Sequence, residues 1–253
     1  MNPAPFAPVT APLHLLALNP RLNRKALATA FARDGRVQIR DVLEPAAARE
    51  LRAVLARGTR WGLTWRAGED GPNALRAEEL ARLAPAERQR MGQAVAQAAG
   101  RGDYAFTYAL YPILDAYLGR WNPDGAHDVL LEHINDQPFL DLVREVTGIP
   151  ELIKADAQAT LYAPTHFLAQ HNDSHMAEGW RVAYVLSLAP DDWKPDWGGY
   201  LNFYDDDGDI ITGYRPRFNA LSMLRVPQLH AVSYVPPFAP VGRFSVTGWF
   251  RDQ

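Results

Sequence analysis

The chain carries His171-Asn172-Asp173, and a second histidine and an arginine follow at His230 and Arg243. Two imidazoles and one carboxylate can take one face of an octahedral iron(II) ion and leave the other face open. Arginine presents a planar fork of donors that pairs with a carboxylate through two hydrogen bonds, and its charge does not titrate away. Arg243 therefore suits a cosubstrate that bears a carboxylate. The chemistry within reach of these four residues is metal-centred, acting beside a fixed organic acid.

Such a set needs strands to carry it. Residues i and i+2 of a strand point to the same side, so the spacing predicts His171 and Asp173 facing one way and Asn172 the other. His230 lies far enough downstream for antiparallel strands to bring the chain back to the start of a sheet. In Arg243-Phe244-Ser245-Val246-Thr247-Gly248-Trp249, alternation puts Arg243, Ser245 and Thr247 on one face, and Phe244, Val246 and Phe250 on the other. After Pro150, short runs rich in Val, Tyr, Phe and Leu alternate with Pro, Gly and Asp turns. They predict strands over 155–162, 167–171, 181–188, 199–204, 220–224, 230–235 and 243–250. Many short strands at this spacing argue for a sandwich or jelly roll.

The earlier part reads differently. Residues 1–22 are rich in Pro and Ala and predict an extended arm. Helices are expected over 25–33, 44–57 and 75–101, and strands over 36–42 and 61–66. The stretch 106–117 predicts a buried helix with Pro112 as a kink. An amphipathic helix over 136–146 has Asp136 as its N-cap. The expectation is one α+β domain: the arm, a mostly helical supporting part over 23–150, and a jelly-roll core over 151–253 that holds the site.

Composition narrows the partners. At 253 residues the chain can bury a sizeable core, and its net charge of -3 gives no electrostatic reason to expect nucleic acid or a membrane surface. It has no cysteine, which excludes disulfides, thiolate metal sites and a cysteine nucleophile. No basic segment opens the chain as in a signal peptide, and no apolar run approaches the ~20 residues of a membrane span. The expected compartment is the cytoplasm, and the sequence leaves the oligomeric state open.

The ordered set His171-Asn172-Asp173, Gly198-Gly199 followed by an alternating strand, His230, and Arg243-Phe244-Ser245 resembles the Fe(II)/2-oxoglutarate dioxygenases, and within them the prolyl-4-hydroxylase-like branch. The resemblance is strong from about 155 to 251 and loose before that. It implies a double-stranded β-helix, the cupin-like jelly roll, with the helix-rich N-terminal part packed on it. It implies iron(II) held by His171, Asp173 and His230, and 2-oxoglutarate chelating that iron. Arg243 would pair with the far carboxylate of 2-oxoglutarate, helped by Ser245 or Thr247. Tyr162 would hydrogen-bond the cosubstrate, O2 would take the remaining iron position, and ascorbate is a candidate further cofactor. The implied reaction hydroxylates a substrate C–H bond and yields succinate and carbon dioxide.

Within this family the carboxylate at Asp173 argues against halogenation. The first arginine beyond Arg243 is Arg251, a spacing unlike that of the nucleic-acid demethylases. The implied substrate is a prolyl residue of a protein or peptide. A free amino acid or small metabolite is the alternative, and a non-enzymatic cupin-like binding module is another. A groove beside 60–72 and 175–200 would favour a peptide, with 68–73 and 174–179 as mobile loops at its mouth.

Other residues have plainer readings. His175 is read as a loop residue next to the site, and His166 as structural. His14, His127 and His133 fall in regions expected outside the core. The aromatic cluster of Trp193, Trp197, Tyr200 and Tyr204 is read as core, with a share left for the cleft wall. The run from Asp205 to Asp209 reads as a solvated hairpin turn. Arg181 is left between a substrate contact and an acidic partner.

Overall fold

The computed structural model describes residues 14–174 and 178–253. In chain order the elements are α1 (Arg24–Asp34), β1 (Arg36–Arg40), α2 (Pro45–Ala53, running into a π-helical turn over Val54–Gly58), β2 (Gly62–Ala67) and β3 (Asp70–Leu75). Next come α3 (Ala77–Arg82), α4 (Pro85–Gly100), β4 (Ala105–Tyr111), α5 (Ile113–Leu118), α6 (Ala126–Asn135) and α7 (Gln137–Thr147). The last part holds β5 (Lys154–Ala155), β6 (Gln158–Tyr162), β7 (Phe167–His171), β8 (Trp180–Ser187), β9 (Leu201–Tyr204), β10 (Ile210–Tyr214), β11 (Ala220–Arg225), β12 (His230–Val232) and β13 (Arg243–Arg251).

One antiparallel sheet runs β1-β11-β8-β13-β6-β4-β7-β12-β9-β10, with β2 joining β3 to β4 and β5 on the end of β13. It curls into a nearly closed barrel, so the α+β class and the jelly-roll core expected from the sequence are borne out. The part over 23–150 also contributes four strands: β1 extends the sheet beyond β11, and β4 pairs with both β6 and β7.

Alternation along the strands sorts two faces. Val182, Leu186, Leu221, Met223, Val246 and Phe250 point outward into a core completed by Phe31, Leu51, Leu130, Phe139 and Val143 of the helices. Each such side chain removed from water contributes about 1.5–3 kcal/mol, which fixes the back of the barrel and leaves the inner face free for polar groups. In α7 the buried residues Phe139, Leu140, Leu142, Val143 and Val146 form the stripe expected of an amphipathic helix.

The structure corrects four local readings. The stretch 106–117 is strand β4 followed by short α5, broken at Pro112, and not one kinked helix. Aromatic residues on both faces of β4 look helical because both faces are covered. The helix expected over 75–101 is two helices, separated where Pro85 opens α4. Asp136 stands at the start of α7 but its side chain makes no capping hydrogen bond. The arm reading holds for none of the described residues around Leu15 and Leu16: both are buried, and Leu18 bridges to Leu43. Residues 1–13 lie outside the described residues.

His127, expected outside the core, is buried on α6 with Nε2 2.9 Å from the Thr59 hydroxyl. Burial pulls it down from 6.5 to about 4, so the fold holds it neutral. Between those values the unfolded chain binds the extra proton, so stability is complete above the higher value and falls as pH drops toward the lower. The expected loss from this residue is about 2 kcal/mol between neutral pH and about pH 5. Urea unfolding of the wild type and His127→Gln at both pH values checks it: the variant should lose correspondingly less, and equal losses would clear His127 of the effect.

Candidate functional site

β7 ends on His171 and β12 begins on His230, and the two are direct cross-strand partners. Their ring centroids lie 4.1 Å apart. Asp173 reaches the same point by a route that strand alternation did not foresee. The strand stops at His171, and Asp173 adopts φ 54, the left-handed region that Asp and Asn tolerate better than other side-chain-bearing residues. Asn172 supports the turn: its Oδ1 accepts from the Ser174 amide, and its carbonyl accepts from the Gln228 amide. The expected convergence of His171 and Asp173 is present, with a turn as its cause.

The ligand atoms of His171, Asp173 and His230 all lie within 4.8 Å of one another. His171 Nε2 is 3.3 Å from Asp173 Oδ1, and His230 Nε2 is 3.4 Å from Oδ2. Each ring is held from behind: His171 Nδ1 is 2.9 Å from the Ala169 carbonyl, and His230 Nδ1 is 2.7 Å from the Gln228 carbonyl. A carbonyl only accepts, so each Nδ1 carries the proton and each Nε2 of the neutral ring turns a lone pair toward the carboxylate. Burial, reinforced by His171, pulls His230 down to about 4. Burial opposes the charge of Asp173, yet its contacts with His171, His230 and Trp249 hold it below the usual carboxylate range. Two lone pairs and a carboxylate facing one another repel unless a cation lies among them, so the donor set fits a divalent metal ion.

The triad opens on a cavity of about 480 Å³ inside the barrel, a size that suits a small ligand. Arg243 stands in its wall, 2% exposed, at the start of β13. One of its terminal nitrogens donates to the Gly199 carbonyl at 2.6 Å, its guanidinium lies 5.0 Å from the Tyr162 ring centroid, and its Nε is buried without a hydrogen-bond partner. A buried cation with an unused donor fits an anionic ligand. Tyr162 is the cross-strand partner of Arg243 and stacks on Tyr108 at 4.9 Å. Burial raises both phenols, so they stay protonated. Thr247 lines the cavity. Ser245 does not: it is fully buried behind the wall, 2.9 Å from the Thr160 hydroxyl, and Thr160 takes the place in the lining.

Residues 157–251 match the family model described as the 2OG-Fe(II) oxygenase superfamily. This segment is similar to that superfamily. The resemblance read from the sequence is thereby borne out, and the matched segment contains every residue of the triad and Arg243. No curated protein matches the chain. Among solved structures, the chain is similar to a Pseudomonas putida prolyl-4-hydroxylase, with a TM-score of 0.59 and 19% identity over 91% of this chain and 99% of that one. It is also similar to a prolyl hydroxylase from Trichoplax adhaerens in complex with a hypoxia inducible factor peptide fragment, with a TM-score of 0.58 and 14% identity over 90% and 89% of the two chains. A third similar structure is a non-heme alpha ketoglutarate dependent epimerase from nogalamycin biosynthesis, with a TM-score of 0.52 and 15% identity over 90% and 82%. At these identities the likeness shows a shared fold.

The cavity wall also holds residues that the sequence reading missed. Gln158 and Thr160 line the cavity with Tyr162, and their alternation along β6 was a usable signal. Tyr104, Phe106 and Tyr108 line it from β4 and the residue before it, and the helix reading of that stretch hid them. Trp180 and Trp249 stack at 4.1 Å and complete the aromatic wall. The cluster of Trp193, Trp197, Tyr200 and Tyr204 is absent from the described lining; Trp193 is buried and donates to the Gly198 carbonyl. Arg181 pairs with Asp252, and His166 Nδ1 is held between the Leu161 carbonyl and the Ala163 amide, both away from the triad. The run from Asp205 forms the turn between β9 and β10, where Asp205 Oδ1 accepts from the amides of Asp207 and Asp209. His175 lies outside the described residues. Residues 68–73, expected to be a loop, belong to the β2–β3 hairpin, which brings Pro72 to the cavity rim. Among the described residues, no helix is long and apolar enough to cross a membrane.

Proposed function

We propose that the chain is an iron(II)- and 2-oxoglutarate-dependent hydroxylase, in which His171, Asp173 and His230 hold the iron. The observation that carries this reading is the pair of imidazoles whose Nδ1 protons are committed to backbone carbonyls, leaving both Nε2 lone pairs beside one carboxylate. When bound, iron and 2-oxoglutarate together with O2 supply the oxidising power for C–H hydroxylation. The protein's own residues do the rest. Arg243 receives the far carboxylate of 2-oxoglutarate, with Tyr162 and Thr247 as donors around it. Ser245 supports this seat through Thr160. The aromatic walls exclude water, which strengthens every charged contact inside.

The substrate we propose is a prolyl residue of a protein or peptide. Two similar folds carry prolyl hydroxylase names, one of them in complex with a peptide, and the exposed rim at Pro72, Asn172 and Ser174 leaves a way in for a chain. Iron-loaded protein should turn 2-oxoglutarate into succinate when given prolyl peptides. Protein that binds neither iron nor 2-oxoglutarate would refute the reading and favour a binding module. Arg243→Gln should keep iron affinity and weaken 2-oxoglutarate binding by about tenfold to a hundredfold, the worth of a charged hydrogen bond. Calorimetric titration of the iron-loaded variant reads this directly, and an unchanged affinity would remove Arg243 from its role.

A further inference from the structure

Two arginines line the cavity, and the reading above uses only one. The other, Arg66 on β2, is half-buried and firmly placed. Its Nε donates to the Gly68 carbonyl at 2.8 Å, and its guanidinium lies 5.5 Å from the Tyr104 ring centroid. The Tyr104 ring is in turn 6.2 Å from that of His171. Arg66 is thus fixed along one edge, close to the triad. Among the described residues it has no carboxylate partner, while other arginines, such as Arg60 and Arg101, pair with acids. Tyr104 is pushed up to about 12, chiefly by burial, so it brings no negative charge.

Among the described residues, the charges in the wall are Arg66, Arg243 and Asp173. An iron(II) ion and a 2-oxoglutarate dianion cancel each other, and Arg243 cancels Asp173. The loaded cavity therefore retains the single positive charge of Arg66, partly withdrawn from water. A half-buried cation held by its Nε, with its terminal nitrogens uncommitted, is arranged to receive an oxyanion.

We propose that Arg66 is a specificity-determining residue that binds a carboxylate carried by the substrate, so that the enzyme prefers acidic substrates over neutral ones of the same shape. This rests on the oxygenase reading and narrows it. The terminal nitrogens of Arg66 hold the substrate carboxylate in the mouth, and Tyr104 backs the guanidinium.

The test uses matched probes that differ only in charge: N-acetylproline against N-acetylprolinamide, and N-acetylleucine against its amide. Each is titrated under nitrogen into protein loaded with iron(II) and 2-oxoglutarate, with quenching of Trp180 and Trp249 fluorescence as the readout. In the wild type the acid of each pair should bind at least about tenfold more tightly. Arg66→Gln should erase the preference and Arg66→Lys should retain part of it, with iron and 2-oxoglutarate affinities unchanged in both. Equal binding of acid and amide, preference surviving Arg66→Gln, or no carboxylate binding by protein that holds 2-oxoglutarate would each overturn the proposal. Charge preference without preference for proline would strike only the prolyl reading. Protein that does not take up iron or 2-oxoglutarate would strike the oxygenase reading itself.

Discussion

Asp173→Asn should abolish iron-dependent succinate formation and weaken iron binding by at least about a hundredfold, or about 3 kcal/mol. Asp173 provides the only negative charge of the triad, and its two oxygens face both Nε2 atoms. An amide in its place keeps the size but removes the charge that draws a divalent ion between two neutral imidazoles. Asparagine is the informative replacement because it tolerates the backbone at φ 54. Asp173→Ala adds strain on the order of 1 kcal/mol at that position, so its loss of activity mixes two causes. Iron titration followed by calorimetry, together with circular dichroism of the unloaded protein, separates metal binding from folding. An Asn variant that keeps wild-type iron affinity would mean that the ion is held elsewhere.

Gly198→Ala should destabilise the fold by about 3 kcal/mol and loosen 2-oxoglutarate binding with it. Gly198 has φ 62 and ψ -144, a combination that few residues other than glycine adopt. A β-carbon there would overlap the Tyr234 carbonyl oxygen, which is backbone and cannot rotate away. The effect travels one residue on. Gly199 donates its amide to the Ser233 carbonyl and accepts from Arg243 with its own carbonyl. A shift of this glycine pair moves the support of the guanidinium. Thermal unfolding and 2-oxoglutarate titration of the same variant check both parts. A variant that is destabilised yet binds 2-oxoglutarate normally would show that Gly199 does not position Arg243.

Much of this site was legible from residue types in order. His171, Asp173, His230 and Arg243 were singled out because metal ligation and carboxylate pairing need particular side chains, whatever the backbone does, and the structure brings all four to one cavity. The strands of the C-terminal part were readable because one face meets helices and the other a cavity that mixes polar and aromatic side chains, which produces alternation along β13. The rest was hidden for physical reasons. β4 carries Phe106, Tyr108 and Tyr111 on two covered faces, so its sequence lacks alternation and imitated a buried helix. The turn that delivers Asp173 depends on a backbone angle and on the Asn172 side chain, and neither shows in residue spacing. Ser245 and Thr247 share a strand face, yet only Thr247 reaches the cavity, because Thr160 on the neighbouring strand stands in front of Ser245. Arg66 looks like any strand arginine until β2 is placed beside β4.

The backbone tethers of the two imidazoles have a cost in selectivity. Each ring is tied to the carbonyl two residues before it, Ala169 for His171 and Gln228 for His230. The donors are therefore set before any ion arrives, and little ordering entropy opposes binding. A set built this way welcomes iron(II) but has few means of refusing cobalt, nickel or copper, which the same nitrogen and oxygen donors bind more tightly in the usual order of divalent ions. Which metal the protein carries would then be decided by the supply around it at the time of folding.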